Sequence, residues 1–352
     1  MTGLDARVAV ASRGVDVRLG VTTGRTLVLL GPNGSGKSTL LEGIAGILPG
    51  AVGEVRLDGA ALGEARTRGV GLLSQDDALF PTMSVLGNVA FGPRARGAAR
   101  LEADAVARRW LDRVGLAGLE DRRPGALSGG QARRVAIARA LAADPRVLLL
   151  DEPFAGLDVP AASGVRALVA ELLQERTAII ATHEVLDAYA FADDVAVMDA
   201  GRVVEHGTAS EVLSRPRTPF AARMAARVLL TGEMRGGTLA LGGGIRLPVT
   251  GGPGAGEAAA VAVRPAQVVV GGAADPRLTW VDDEVVTVEP RGDELRVTGR
   301  VAAADVDVSR AGELVVGGPV RFGLPHGLDA YPLTAPEPRA PGDGNPDETP
   351  AS

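Results

Sequence analysis

Unbroken apolar runs punctuate the first two thirds of the chain, and each ends on glycine, carboxylate or histidine. Leu27-Val28-Leu29-Leu30 reads as a buried strand. It leads into Gly31-Pro32-Asn33-Gly34-Ser35-Gly36-Lys37-Ser38-Thr39. Leu40, Leu41, Ile44, Ile47 and Leu48 follow at i, i+1, i+4, i+7 and i+8, which predicts an amphipathic helix. Upstream, Val8, Val10, Val15, Val17 and Leu19 alternate loosely and predict two strands before a third at 26–30. Val52, Val55 and Leu57 lead to a turn at Asp58-Gly59, and a short strand then ends at Gln75. Ala103, Val106, Ala107, Trp110, Leu111 and Val114 predict a helix over 101–114, with Trp110 in the core and arginines 108, 109 and 113 on the solvated face. Two further apolar runs predict buried parallel strands, one ending at Asp151-Glu152 and one at Thr182-His183. Residues 195–198 and 202–206 predict a closing hairpin, and 208–228 terminal helices.

After about Thr231 the helical period is lost. Short β-like runs at 238–241, 245–249, 258–264, 267–270, 280–289, 294–300, 305–308 and 319–324 alternate with Gly/Pro turns. They predict a small all-β, OB-like domain. The expected layout is an α/β domain over 1–230, with a helical subdomain at about 76–134, then a β domain over 231–334. A Pro-rich acidic tail over 335–352 is expected to be disordered.

Composition narrows the partners. A length of 352 residues accommodates two domains. Aromatics make up only 3%, so Ala, Val and Leu must fill the core. The net charge is −6 with no basic stripe, so nucleic acid is not an expected partner. With no cysteine there is no disulfide framework. The N-terminus does not read as a signal peptide, and no apolar run approaches the ~18 residues of a membrane span. A soluble, cytoplasmic chain is expected, which would serve a membrane by docking on other chains.

Strand, glycine loop, Lys-Ser and helix together are the context of a phosphate-binding P-loop. Glycines let backbone N–H groups face an anion, and the helix N-terminus adds its dipole. Lys37 would reach the β- and γ-phosphates, and Ser38 would ligate Mg²⁺. Lys37 is the only lysine in the chain; every other Lys/Arg position is arginine. The alternative, a glycine-rich turn with an incidental lysine, leaves that choice unexplained. Leu127-Ser128-Gly129-Gly130-Gln131 opens a second helix with a good N-cap and two glycines. It is either an ordinary capped start or a second phosphate-binding terminus. Asp151, Glu152, Gln75 and His183 all fall at the C-terminal strand edge, where α/β sheets bind ligands. Asp151 fits a Mg²⁺-holding acid. His183 reads as a γ-phosphate contact or a structural histidine. Residues 76–92 (Leu79, Phe80, Met83, Val85, Val89, Phe91) fit a small helical core, a partner-docking patch, or both. No aromatic that could stack on adenine stands near the start. Arg13 there is either a stacking guanidinium or, on the simpler reading, a plain exposed strand residue.

Taken together, these motifs resemble the ATP-binding subunits of ABC transporters over roughly residues 5–230. The resemblance rests on a Walker A at 31–39, a Q-loop at Gln75, the signature at 127–131, a Walker B at 147–151 with Glu152, a D-loop at 155–158 and an H-loop at His183. Val263-Arg264-Pro265 and Val288-Glu289-Pro290-Arg291-Gly292-Asp293 look like the TOBE domain of bacterial importer ATPases, most like those for molybdate. Sulfate, ferric-iron, polyamine and sugar importers share the architecture. A soluble, non-transport ABC ATPase is the remaining alternative.

The resemblance implies ATP and Mg²⁺ as ligands and a P-loop NTPase fold. Lys37, Glu152 and His183 would be catalytic, and Ser38, Gln75 and Asp151 would hold the metal. It also implies a head-to-tail pair, in which ATP on Gly31–Thr39 of one copy is closed over by Ser128, Gly129, Gly130 and Gln131 of the other, with Asp158 linking the sites. Permease subunits would dock near Gln75–Phe91 at the cytoplasmic face of the membrane, and a solute-binding protein would act indirectly. The β domain reads either as regulatory and dimer-contact scaffolding or as an oxyanion sensor in its own right, the latter with Arg264 or Arg291.

Overall fold

The computed structural model describes residues 3–76, 78–174 and 176–333. The expected disordered tail over 335–352 lies outside them. The chain divides at Ala209–Ser210 into two compact units.

The first unit holds β1 (Gly3–Val10), β2 (Val15–Thr22), β3 (Thr26–Leu30), α1 (Lys37–Ala45), β4 (Val52–Leu57), β5 (Ala60–Ala61) and β6 (Val70–Leu73). The helices α2 (Val85–Ala95), α3 (Arg100–Arg113) and α4 (Gly129–Ala142) follow. Then come β7 (Val147–Asp151), α5 (Val159–Leu173), β8 (Thr177–Thr182), α6 (Val185–Phe191), β9 (Asp194–Asp199) and β10 (Arg202–Gly207). One sheet runs β10-β9-β3-β8-β7-β6, parallel except for the β10 edge. A second, antiparallel sheet runs β2-β1-β4-β5.

Their sequence patterns differ because their faces do. β3, β7 and β8 are buried at every position and read as continuous apolar runs. β2 alternates, burying Val15, Val17, Leu19 and Val21. Leu40, Leu41 and Ile44 of α1 join both sheets in one core with Leu4, Val8, Leu27, Leu29 and Leu149. A separate helical core gathers Val85 and Val89 of α2, Ala103, Ala107 and Leu111 of α3, and Val135 and Ala138 of α4.

Register aligns the strand ends. Leu30 pairs with Thr182, Asp151 with Ala181 and Leu73 with Leu150. The loops that leave β3, β6, β7 and β8 therefore emerge side by side.

Two sequence expectations in this unit are corrected. α1 stops at Ala45 because Gly46 adopts φ 78°, so Ile47 lies beyond the helix, 55% exposed. Trp110 packs against the helical core but is only partly buried, with the Arg113 guanidinium 4.7 Å from its ring centre. Arg113 is exposed, as expected of the solvated face, and pairs there with Glu171 at 2.7 Å.

The second unit begins earlier than the expected residue 231. α7 (Ala209–Ser214) spans the division, and α8 (Pro219–Met224) follows it. The stretch after α7 belongs with the β strands for a physical reason. Tyr331 donates its hydroxyl to the Pro216 carbonyl at 2.7 Å, and Arg215 pairs with Asp329 at 2.7 Å. A strand missed by sequence reading, β11 (Val228–Arg235), closes a barrel with β12 (Thr238–Ala240), β13 (Arg246–Gly251), β14 (Ala258–Val263) and the last strand, Leu328–Pro332. The remaining strands are β15 (Val269–Val270), β16 (Leu278–Glu284), β17 (Thr287–Arg291), β18 (Glu294–Thr298), β19 (Ala303–Asp307) and β20 (Pro319–Pro325), with Leu328–Pro332 as β21. The single run expected at 280–289 is two strands: β16 pairs with β20, whereas β17 pairs with β18. The closed five-stranded barrel has the strand count of an OB-type fold.

Candidate nucleotide site

The aligned strand ends bound a cleft of about 600 Å³ lined by Asn33 to Thr39, Gln75, Asp151, Glu152, Ala155 and His183, with Arg13 on its wall. The loop after β3 is built for close approach. A Cβ at Gly31 would stand 2.5 Å from the Met198 carbonyl oxygen and 2.6 Å from Ser35 Oγ, so only glycine fits. Gly36 caps α1 at φ 101°, which turns the first N–H groups of the helix toward the cleft. Lys37 is 6% exposed, and its Nζ donates to the carbonyls of Gly31 at 2.7 Å and Pro32 at 3.1 Å. Burial lowers its pKa, and the carboxylates of Glu152 and Asp151 oppose that shift.

Asp151 ends β7 with its carboxyl pKa raised by burial, and the Ser38 hydroxyl partly offsets the shift. Its Oδ1 is buried without a hydrogen-bond partner. That orphaned oxygen, the Ser38 hydroxyl and the nearby Gln75 amide form a donor set for Mg²⁺. This is a hard cation that takes one or two carboxylates and keeps waters and phosphate oxygens. The residues present therefore fit the ion.

Glu152 is held in an uncommon backbone conformation, φ 46°. Its N–H donates to the Ala181 carbonyl at 2.8 Å, and its own carbonyl accepts from Arg133. These bonds fix the strained residue from both sides. Its carboxylate, 9% exposed, receives His183 Nδ1 at 2.9 Å from each oxygen. With Nδ1 committed as donor, Nε2 of the half-exposed imidazole remains for a second partner.

Two arginines absent from the sequence-based site hold this geometry. Arg133, on α4, is 3% exposed and donates to the carbonyls of Pro153 at 3.0 Å, Ser74 at 3.0 Å and Gln75 at 3.1 Å, as well as to Glu152. It ties the helix that Ser128 caps to two residues of the cleft. Arg166, on α5, brackets His183: it bonds Asp187 at 2.9 Å and also bonds Glu184. Thr182 donates to the same Asp187 at 2.7 Å and accepts from the Glu184 N–H at 3.1 Å. The signal for Arg133 was legible: a charge sharing the buried stripe of Ile137, Ala140 and Leu141 must be paired inside.

Other expected site residues stand apart from the cleft. Ser128 caps α4, accepting from the Gln131 N–H at 3.3 Å, and Gln131 Oε1 accepts from the Ser128 N–H at 3.0 Å. Ser128 and Gly129 are exposed, and a Cβ at Gly129 would meet nothing within 4 Å. Asp158 caps α5 through Ala161 N–H at 2.8 Å. Residues 76–92 divide between core and surface side chains. Val85 and Val89 are core, while Phe91 is 43% exposed with its ring 4.7 Å from that of Phe80. Buried Asn88 pins the Phe80 backbone to α2 through its N–H at 2.8 Å and its carbonyl at 3.1 Å. Arg264 and Arg291 are exposed; Arg264 follows the barrel strand β14 and Arg291 ends β17 in a separate sheet.

A model of the ABC transporter family matches residues 15–155. The chain is 46% identical over 248 residues to the molybdenum import ATP-binding protein of Mycobacterium tuberculosis, covering 66% of this chain and 67% of that one. The chain belongs to the ABC transporter ATP-binding family. It is 47% identical to an Fe(3+) ions import ATP-binding protein of Streptomyces coelicolor, over 59% of this chain and 61% of that one. Among solved structures it is similar to cbiO1 of Clostridium perfringens, part of the ABC transporter complex cbiONQ, with TM-score 0.53 and 32% identity over 60% of this chain and 90% of that one. As an ABC ATPase it uses ATP with Mg²⁺. Among the described residues no helix is long and apolar enough to cross a membrane.

Proposed function

We propose that this chain is the ATP-hydrolysing subunit of an importer for molybdate. The single observation that carries the reading is the convergence of Lys37, Gln75, Asp151, Glu152 and His183 on one cleft. Lys37 and the N–H groups of the 31–39 loop bind the phosphates. Ser38, Asp151 and Gln75 hold Mg²⁺, which neutralises charge developing on the transferred phosphoryl group. Glu152 accepts a proton from the attacking water, and His183, oriented by Glu152, presents Nε2 to the γ-phosphate. Glu152 and His183 thus act as one unit.

The N-terminus of α4 carries a cap and the exposed Gly129, at which an added Cβ would meet no neighbour, which suits it to a phosphate held by another molecule. In our reading Ser128, Gly129 and Gly130 close over the ATP of a second copy, head to tail, and Asp158 helps to link the two sites. ATP favours the closed pair through its differential affinity for it, and hydrolysis releases the pair. Phe80 and Phe91, pinned by Asn88 beside Gln75, form the surface that meets a permease subunit at the inner face of the membrane. The all-β unit is a TOBE-type regulatory domain.

Molybdate is favoured because the relative named for molybdenum import is matched over more of this chain than the relative named for iron, 66% against 59%, and at higher identity than a sulfate/thiosulfate import relative matched over the same share, 46% against 41%. Ferric iron is the second reading, on the 47% identity to that relative. The test is reconstitution in vesicles with the permease and binding protein. Molybdate should stimulate ATP hydrolysis and enter the vesicle. Stimulation by ferric iron or sulfate but not molybdate would overturn the solute assignment.

A further inference from the structure

Asp187 is a buried carboxylate that the phosphate chemistry leaves unused. It stands in the first turn of α6, with its side chain 1% exposed. Helix capping does not account for it, because both carboxylate oxygens are bonded elsewhere. Oδ1 accepts from Arg166 Nε at 2.9 Å, and Oδ2 accepts from the Thr182 hydroxyl at 2.7 Å. Burial raises its pKa, and the bonds from Thr182 and Arg166 oppose the shift. A buried ion pair is often no more stabilising than apolar side chains of the same volume, so packing does not account for it either.

The two bonds lead to the residues on either side of His183. Thr182, which donates to Asp187, accepts from the Glu184 N–H at 3.1 Å, and Arg166 also bonds the Glu184 carboxylate. The backbone over 182–184 is thereby held at both ends. Burial does not hold its middle residue. His183 is half exposed, and among the described residues its hydrogen bonds go to Glu152 alone. An exposed imidazole keeps its aim only when the backbone beneath it is fixed. Arg166 also reaches the other partner of that bond. Its guanidinium lies 4.8 Å from the ring centre of Phe154, in the loop that follows Glu152. Phe154 in turn stacks on Phe191 of α6, with ring centres 5.6 Å apart. One buried carboxylate thus anchors a network that touches the loops of both Glu152 and His183.

We propose that Asp187 is a positioning residue of the hydrolytic step: through Thr182 and Arg166 it sets the His183 backbone so that the imidazole meets Glu152. The assignment rests on reading Glu152 and His183 as the hydrolytic pair of an ATP site. It places Asp187 in turnover and outside nucleotide binding.

The test is a double-substitution cycle on ATP turnover by the full chain, with ATP affinity measured beside it by calorimetry. Asp187→Asn should lower kcat by about 10- to 100-fold and leave KM and ATP affinity within about twofold, because a misplacement of about 1 Å can cost that much in rate. Since Asp187 acts through His183, Asp187→Asn should cost less than about twofold once His183→Ala is present. Losses that multiply in the double variant would make Asp187 merely structural and overturn the proposal. Ordinary turnover by Asp187→Asn would also overturn it. Thr182 gives the answer if Asp187→Asn does not fold. Thr182→Val keeps the shape and removes the hydroxyl, and should lower kcat without weakening ATP binding. Thr182→Ser keeps the hydroxyl and should turn over within about threefold of the unaltered chain. Equal turnover by these two variants would overturn the proposal. Ordinary turnover by His183→Ala is a different failure. It would remove His183 from the chemistry, and the role of Asp187 with it.

Discussion

The two units carry similar polar residues to different ends. In the α/β unit, register delivers Lys37, Gln75, Asp151, Glu152 and His183 to one sheet edge, though as many as 146 positions separate them in sequence. The buried Arg133 then locks the backbone behind them. In the all-β unit the charges pair locally and pin strands. Arg296 bonds Asp305 across β18 and β19, and Asp283 accepts from Arg300 N–H at 3.1 Å and Val301 N–H at 2.8 Å to fasten a turn. Parallel strands all point one way, so their loops share an edge. A barrel of short, mostly antiparallel strands disperses its loops to opposite ends. Motif density in a sequence becomes a site only where topology collects it.

Four substitutions probe that contrast. The largest effect is expected from Glu152→Gln, which should lower turnover by about 10²- to 10⁴-fold with little change in ATP affinity. Ordinary turnover would remove Glu152 from the chemistry. Arg133→Met should come next. It leaves buried carbonyls of Ser74, Gln75, Glu152 and Pro153 without their donor, at about 1–3 kcal/mol for each group that finds no water. Melting should fall by roughly 5–10 °C, and turnover should drop in the molecules that remain folded. An unchanged melt would show the buried guanidinium to be dispensable.

Asp151→Asn should act in the opposite direction on stability. Burial raises the folded pKa of Asp151 above its unfolded value. Between those two values the folded state keeps a proton that the unfolded state has lost. The stability this contributes falls as pH rises through that window, so the buried charge is a net cost at neutral pH. The variant should melt about 2–4 °C higher at pH 7, gain nothing below the ordinary carboxylate range, and lose Mg²⁺-dependent hydrolysis. A lower melt at pH 7 would mean that the contacts of Asp151 outweigh its burial. The smallest effect belongs to the β unit. Arg291→Ala, whose exposed side chain lies 3.9 Å from Glu289, should change stability by less than about 0.5 kcal/mol and leave ATPase activity intact. A large loss there would break the contrast between the units.

Much of the α/β unit was legible because its strands are buried on both faces and its loops carry residue types that only phosphate chemistry explains. The sole lysine pointed to the site unaided. The burial of Arg133 could be read from its helix stripe, but its partners and those of Arg166 could not, because they are backbone carbonyls and side chains brought near only by folding. Trp110 was placed too deep because periodicity gives a face, not a depth. β11 was missed because Val228–Arg235 lies where the periodicity gave way to short β runs, and its partner β14 begins more than twenty residues later.

The central claim is that the cleft is half of a site and that α4 of a second copy completes it. Light-scattering mass of Glu152→Gln at saturating ATP tests this most directly. The account predicts two chains with ATP and one without. It also predicts one chain when Ser128→Arg is added, with each monomer still binding ATP. A two-chain mass in that double variant, or a single-chain mass for Glu152→Gln at full ATP occupancy, would contradict it.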